Sequence, residues 1–313
     1  LGLKTSDGVK HWTLIGWVCL ALAGCSPNPS AELRPQLFDG NRAYRHVEKL
    51  VGYGPRPAGS TALGSSATYI ASQFQEFGLT TEEQVFQART PRGTIQFRNL
   101  VAKTTGRGGP GQVIVLGAHY DTKFMEQFRF VGANDGGSGV GVLLEMARIA
   151  GNQPNLWFVV FDGEEAVVEY TAQDGLWGSR FFVEDLKGRK QVDWIKAFVL
   201  LDMVGDAQLN ITIPGNSTPA LTQRVFDAAR LMGYRDRFGY REGAMIDDHV
   251  PFLKAGIPAV DLIDFEYGSA PGLNDYWHTA QDTLDKVGPR SLEAVGRTTL
   301  RLIAQMQKDP PRR

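Results

Sequence analysis

Asp162, Glu164 and Glu165 stand at the end of an apolar run, LWFVVFDGEEA, residues 156 to 166. Three acids within four positions repel one another unless a cation, a proton or a set of donors compensates. Related groups follow other apolar runs: His119 and Asp121 after VIVLGA, Asp135 in GANDGGSG, Asp202 after AFVLL, and His278 in DYWHTAQDT. Carboxylates and imidazoles gathered from separate strand ends suit zinc, which binds both at about 2.0–2.2 Å and keeps one position open in catalytic sites. Consecutive residues at a strand end point in different directions. Glu165 can therefore hold a metal while Glu164 faces a substrate as acid and base.

Each residue alone has a simpler explanation. Asp135 could cap the helix after it, His119 could be a satisfied core histidine, Asp202 could end a strand in a turn, and His278 could bond Asp282 within a loop. Glu164 and Glu165 could occupy a solvated turn. The chain has five histidines: His11 falls in the N-terminal segment, His46 on the polar face of a helix, and the others in or beside acidic contexts. Competing chemistries fail on spacing. GGSGVG (136 to 141) fits neither the G-x-G-x-x-G dinucleotide loop nor a Walker loop, GGSGV fits no nucleophile elbow, and HExxH is absent.

Placing these groups together requires a sheet, because ligands of open α/β folds sit beyond the carboxyl ends of the strands. Buried strands are expected at 113–119, 156–162, 197–202 and 258–263, and a strand pair at 82–88 and 94–102. Helices are expected around 138–150, 179–187, 218–232 and 247–255, with a last one carrying Leu292, Val295, Leu302 and Met306 on one face. Two earlier helical faces, Ala43/Val47/Leu50 and Tyr69/Ile70/Phe74/Phe77, flank the turn-rich GYGPRPAGS, the second closed by Gly78. The expected fold class is α/β: a single-domain αβα sandwich around a central mixed, mostly parallel sheet.

Composition narrows the partners. The chain has 33 basic and 34 acidic residues and no basic tract, which argues against nucleic acid. Lys4 and Lys10 precede an apolar run, Trp12 to Ala23, too short for a comfortable membrane span. Residues 1–24 therefore read as a signal peptide, 25–38 (Pro-, Ser- and Asn-rich) as a tether, and 39–313 as the catalytic domain. Leu22-Ala23-Gly24-Cys25 resembles a bacterial lipobox, so Cys25 is expected to carry lipid and to hold an exported protein on a membrane, periplasmic in a bacterium. Cys19 is the only other cysteine, which leaves the mature domain without thiol chemistry.

AHYDTK (118 to 123), GANDGGSG (132 to 139), FDGEEA (161 to 166), LLDMVG (200 to 205) and WHTAQDT (277 to 283) resemble the markers of the zinc aminopeptidase-like superfamily. The similarity runs from about Val51 to the C-terminus. Within that superfamily the chain looks like the glutaminyl-peptide cyclotransferases, or glutaminyl cyclases. Three features carry this: the VVEYTAQDGLW insert before Gly178-Ser179-Arg180, Asp247-Asp248-His249 followed by VPFLKAGIPAV, and Trp277 before His278. The resemblance implies zinc on Asp135, Glu165 and His278, Glu164 as general acid/base, and Asp202 and Asp247 in an acidic network around it. It places Trp277 and Tyr170 beside the substrate, a peptide or protein with N-terminal glutamine. His119 and Asp202 also match the second-metal ligands of two-zinc aminopeptidases, so one zinc is expected and two are compatible, with Asp121 beside His119 in the same supporting position. Asp248 and His249 are expected to cap a helix.

The chain also departs from the cyclase pattern. GGSGVG is closer to the aminopeptidase form, and Asp261 stands where animal cyclases have a histidine. A zinc aminopeptidase, with an activated water as the attacking group, is the alternative enzyme. A catalytically silent binding domain is the alternative of another class, and Glu164 beside a full ligand set argues against it.

Overall fold

The computed structural model describes residues 1–2, 32–106, 108–171 and 173–312. The apolar run expected to be a signal peptide and Cys25 lie outside them, and among the described residues no helix is long and apolar enough to cross a membrane. Within the expected tether, Leu33, Pro35 and Phe38 are buried, so packing onto the domain begins before residue 39.

Two helices open the fold, α1 (Gly40–Gly52), capped by Asp39, and α2 (Thr61–Glu76), capped by Ser60. A hairpin follows, β1 (Thr80–Thr90) with β2 (Gly93–Lys103), and then β3 (Val113–His119), α3 (Ser138–Ala150) and β4 (Leu156–Phe161). The second half runs α4 (Trp177–Gly188), β5 (Ile195–Asp202), β6 (Ile211–Pro214), α5 (Pro219–Met232), β7 (Phe238–Arg241), α6 (His249–Lys254), β8 (Ala259–Ile263) and α7 (Pro289–Met306). Six strands form the main sheet in the order β1-β2-β4-β3-β5-β8, with β1, β2 and β4 antiparallel neighbours and the other pairs parallel. The expected strands and helices are found. The small parallel pair β6 and β7 was not foreseen.

The strands alternate cleanly between two cores, as a sheet covered on both faces must. Leu156, Phe158 and Val160 of β4 face a core shared with α1, α2, α3, α5 and α7. Trp157, Val159 and Phe161 face the opposite core, closed by α4 and α6. There the Phe252 ring stacks on Phe198 at 3.8 Å. Helices on both faces leave the carboxyl ends of β3, β4 and β5 as one open rim.

Three local readings are corrected. His46 is buried, with Nδ1 2.6 Å from the Tyr69 hydroxyl, because α2 packs over the face of α1 that looks polar in isolation. Asp135 caps nothing: α3 begins after Gly137 with no side-chain cap. Asp248 stands at the N-cap position of α6 in helical backbone geometry, where its carboxylate caps no helical N–H, and His249 is the first helical residue and its ring caps nothing.

Candidate active site

The parallel register of β3, β4 and β5 brings His119, Glu164, Glu165 and Asp202 to one rim. Gly163 makes the turn beyond β4. Its φ is +71° and a Cβ there would come within 2.4 Å of Phe97, so only glycine lets the chain swing both glutamates inward. Asp162 leaves the site, accepting the Arg98 N–H of β2 at 2.7 Å. The three crowded acids of the sequence are thus divided between two places.

Asp135 is the hub. Its Oδ1 lies 3.2 Å from His119 Nε2, which is also 3.1 Å from Asp202 Oδ1. Its Oδ2 lies 3.3 Å from His278 Nε2, which is also 3.0 Å from Glu165 Oε1. His278 does not pair with Asp282. Two triads result, His119/Asp135/Asp202 and Asp135/Glu165/His278, and within each the ligand atoms lie within 4.8 Å of one another. The donor set is imidazole nitrogen and carboxylate oxygen, and buried Asp135 offers one oxygen to each triad, so both triads fit zinc.

A supporting layer holds these atoms in place. Asp121 accepts the N–H groups of Glu164 and Glu165, each at 3.2 Å, and lies 3.5 Å from His119 Nδ1. Asp282 accepts the N–H groups of Asn134 and Asp135 at 2.8 and 3.0 Å and the Tyr267 hydroxyl at 2.8 Å. Asn134 Oδ1 and Ser138 Oγ in turn accept the N–H groups of Gly205 and Val204, tying this loop to the end of β5. Met203 and His278 are two of five non-glycine residues with positive φ among the described residues. Such backbone is costly, and here it falls at the rim.

The insert after Glu165 is fastened by Asp174, which accepts the N–H groups of Val167, Val168 and Glu169. That fold brings the Tyr170 hydroxyl to 2.9 and 2.8 Å from the two Glu164 oxygens and 3.1 Å from Glu165 Oε2. Lys123 stands 4.9 Å above the Tyr170 ring and 3.8 Å from Glu165. Across the cavity Trp277 stacks on His278 at 4.0 Å and meets Phe265 edge-on at 5.2 Å. The cavity holds about 260 Å³; Glu164, Asp202 and Asp247 line its polar side, and Ile263 and Met245 add apolar wall.

Electrostatics follow from burial. Burial, opposed by His119 and reinforced by Glu165, holds the Glu164 carboxyl well above its usual range. Burial alone would lower His278, but Glu165 and Asp135 outweigh it and push it up to about 10. Asp135, despite burial, is held below the usual carboxylate range by hydrogen bonds to His119 and His278. Asp247 is raised by burial and by Asp261 and Asp202. Such a set contains groups poised to keep and groups poised to release protons.

Every foreseen site residue among those described gathers here, with Asp121 and His119 behind the cavity wall. The sequence reading missed Asp282, Tyr267, Asp174 and Lys123. Asp282 was visible within WHTAQDT, but nothing in its type separates an acid that holds a loop from one that holds a metal.

A model of peptidase family M28 matches residues 99–303, from β2 into α7. The chain belongs to peptidase family M28. Within that family it is 35% identical to the glutaminyl cyclase of an Acidobacteriales bacterium, with a TM-score of 0.82 over 90% of this chain and 98% of that one. It is 31% identical to the Porphyromonas gingivalis glutaminyl cyclase, with a TM-score of 0.78 over 86% and 99% of the two chains. Glutaminyl-peptide cyclotransferase of Gloydius blomhoffii is 27% identical over 79% of this chain and 76% of its own. The M28 fold also likens it to a leucine aminopeptidase precursor of Bacteroides thetaiotaomicron, at 28% identity and a TM-score of 0.74 over 87% and 98%.

Proposed function

We propose that this M28 protein is a zinc-dependent glutaminyl-peptide cyclotransferase, converting N-terminal glutamine of peptides and proteins to pyroglutamate with release of ammonia. The observation that carries the reading is the cavity itself: an aromatic and apolar wall at Trp277 and Phe265 facing Glu164, whose carboxyl is biased toward holding a proton. Similarity to glutaminyl cyclases over most of the chain supports it.

Asp135, Glu165 and His278 are the residues that would hold zinc, with His119 and Asp202 available for a second ion. Bound there, zinc supplies Lewis acidity toward the side-chain carbonyl of the glutamine. The substrate's neutral α-amine attacks the side-chain amide carbon, forming the ring C–N bond and breaking the bond to the amide nitrogen, which leaves as ammonia. The reaction is intramolecular, so a cavity that folds the glutaminyl chain back on itself supplies most of the effective concentration. Glu164 takes the proton from the attacking amine and returns it to the departing nitrogen, and its raised affinity for protons suits both halves of that transfer. Asp202 is among the acids that push the Glu164 carboxyl up, and Asp247, itself pushed up by burial, by Asp261 and Asp202 and by Glu164, extends the same acidic network. Tyr170 orients the Glu164 carboxylate, and Trp277 offers a flat apolar face to the aliphatic part of the glutamine.

A second reading, zinc aminopeptidase, has one observation in its favour: the His119/Asp135/Asp202 triad is a second complete ligand set. Mass spectrometry of the zinc-loaded protein with a Gln-initiated and a Leu-initiated peptide separates the two. Loss of one ammonia from the Gln peptide alone is the expected result. Release of free leucine overturns it. The N-terminal sequence supports export as a lipoprotein through Cys25, and retention of the protein in the membrane fraction, lost in Cys25→Ser, is the matching test.

A further inference from the structure

The turn-rich GYGPRPAGS segment between α1 and α2 takes no part in the chemistry above, yet it carries Arg56, which is wholly buried. Its guanidinium donates to main-chain carbonyls: Nε to Tyr120 at 3.0 Å, Nη1 to Val131 at 2.7 Å, Gly54 at 3.3 Å and Leu50 at 3.4 Å, and Nη2 to Gly132 at 3.0 Å. The main chain of Arg56 is fastened as well. Its N–H donates to Thr122 Oγ1 at 2.9 Å, and its carbonyl accepts the Thr122 N–H at 3.1 Å. Burial lowers the Arg56 pKa to about 10 against the opposing pull of Asp282, Asp121 and Asp135, so the side chain stays charged.

A buried charge is costly, and an apolar side chain of similar volume would fill the space without that cost. What the guanidinium adds is direction: a planar fork of five donors that a lysine ammonium cannot reproduce. Its acceptors come from three segments: the end of α1 with the loop after it, the exit of β3, and the loop that leads to Asp135. Tyr120 sits between His119 and Asp121, and Gly132 lies three residues before Asp135. Gly132 has φ +51°, and a Cβ there would come within 2.2 Å of the Asp135 carbonyl oxygen, so the turn leaves no slack between them. Asp282 takes the N–H groups of Asn134 and Asp135, while Arg56 takes the carbonyls of Val131 and Gly132. The ligand loop is gripped at both ends.

We propose that Arg56 is a positioning residue of the metal site, locking the 131–135 loop to the exit of β3 and so fixing Asp135 against His119. The inference deepens the proposed function: it rests on zinc being held at these residues and not on which reaction the ion serves. It also gives the GYGPRPAGS loop its task, which is to deliver a fixed fork of donors to the ligand loop.

The test compares the full chain with Arg56→Lys and Arg56→Ala, each checked for folding by circular dichroism. Zinc affinity is read by competition with a chelating dye, and ligand geometry by the visible absorption of the cobalt-substituted protein. Both variants are expected to bind zinc at least about 10-fold more weakly and to give an altered cobalt spectrum, and added guanidinium ion is expected to restore affinity in Arg56→Ala. A folded Arg56→Lys with wild-type zinc affinity and cobalt spectrum overturns the proposal, whatever its melting temperature, and leaves Arg56 a role in stability alone. Should neither variant fold, Thr122→Val removes the acceptor of the Arg56 N–H and leaves every ligand in place. Its zinc affinity is expected to fall by roughly fivefold, the worth of one hydrogen bond, and an unchanged affinity overturns the proposal. A wild type that takes up no zinc removes the proposed function together with this inference, whereas equal affinity in wild type and variants removes the inference alone.

Discussion

At the scale of single residues, the proposed chemistry turns on one carboxyl group and the phenol bonded to it. Glu164→Gln keeps the shape of the side chain and removes the proposed proton carrier, so cyclisation is expected to fall by roughly 10²–10⁴-fold with metal content unchanged. Steady-state rates beside metal analysis check this, and a variant losing zinc as well would make Glu164 a ligand. Tyr170 donates its hydroxyl proton to Glu164. A hydrogen bond to the charged form lowers a carboxyl's proton affinity, so Tyr170→Phe is expected to move the acidic limb of the kcat/KM profile upward by about one pH unit. The identities of the rim residues were legible in the sequence because each follows an apolar run. Their supports were not, since Asp121, Asp174 and Asp282 differ from the rim acids only in what they touch.

Elements place these residues, and two contacts between elements can be tested directly. Asp282 accepts two loop N–H groups and the Tyr267 hydroxyl, an arrangement that aims Asp135 at both histidines. Asp282→Asn supplies one acceptor oxygen where the carboxylate has two. Zinc affinity is expected to weaken about 10–100-fold, measured by competition with a chelating dye. His46 joins α1 to α2, and burial first, then Arg45 and Arg42, lowers its pKa from 6.5 to about 4. A histidine held neutral in the fold binds fewer protons there than in the unfolded chain. Its stabilisation is therefore complete above about pH 6.5 and lost as the pH falls toward about 4, a loss of about 3 kcal/mol. His46→Gln removes this dependence, so the stability advantage of the wild type over the variant should shrink by that amount between about pH 8 and about pH 4 in denaturant titrations. The helix faces and buried strands were readable from period and run length. Strands β6 and β7 were not, because four residues each are too few to establish a period, and α5 separates them in the chain.

For the whole molecule, the layered α/β plan was legible in the alternation of apolar runs with helical periods, whereas strand order was not, because pairing depends on contacts between distant segments. Those distances in sequence have a kinetic meaning. His119 meets Asp202 across 83 residues, Glu165 meets His278 across 113, and Asp135 meets the carboxylate of Asp282 across 147. Contacts of this kind close large loops and form late, after the sheet has been ordered. A growing chain has no complete ligand set from the Asp135/Glu165/His278 triad until His278 has left the ribosome and the strands have docked. Zinc would then be an acquisition of the finished fold rather than its template, acting on the rate at which the protein comes apart. Refolding monitored with and without zinc should show equal folding rates, with the unfolding rate alone reduced by the ion.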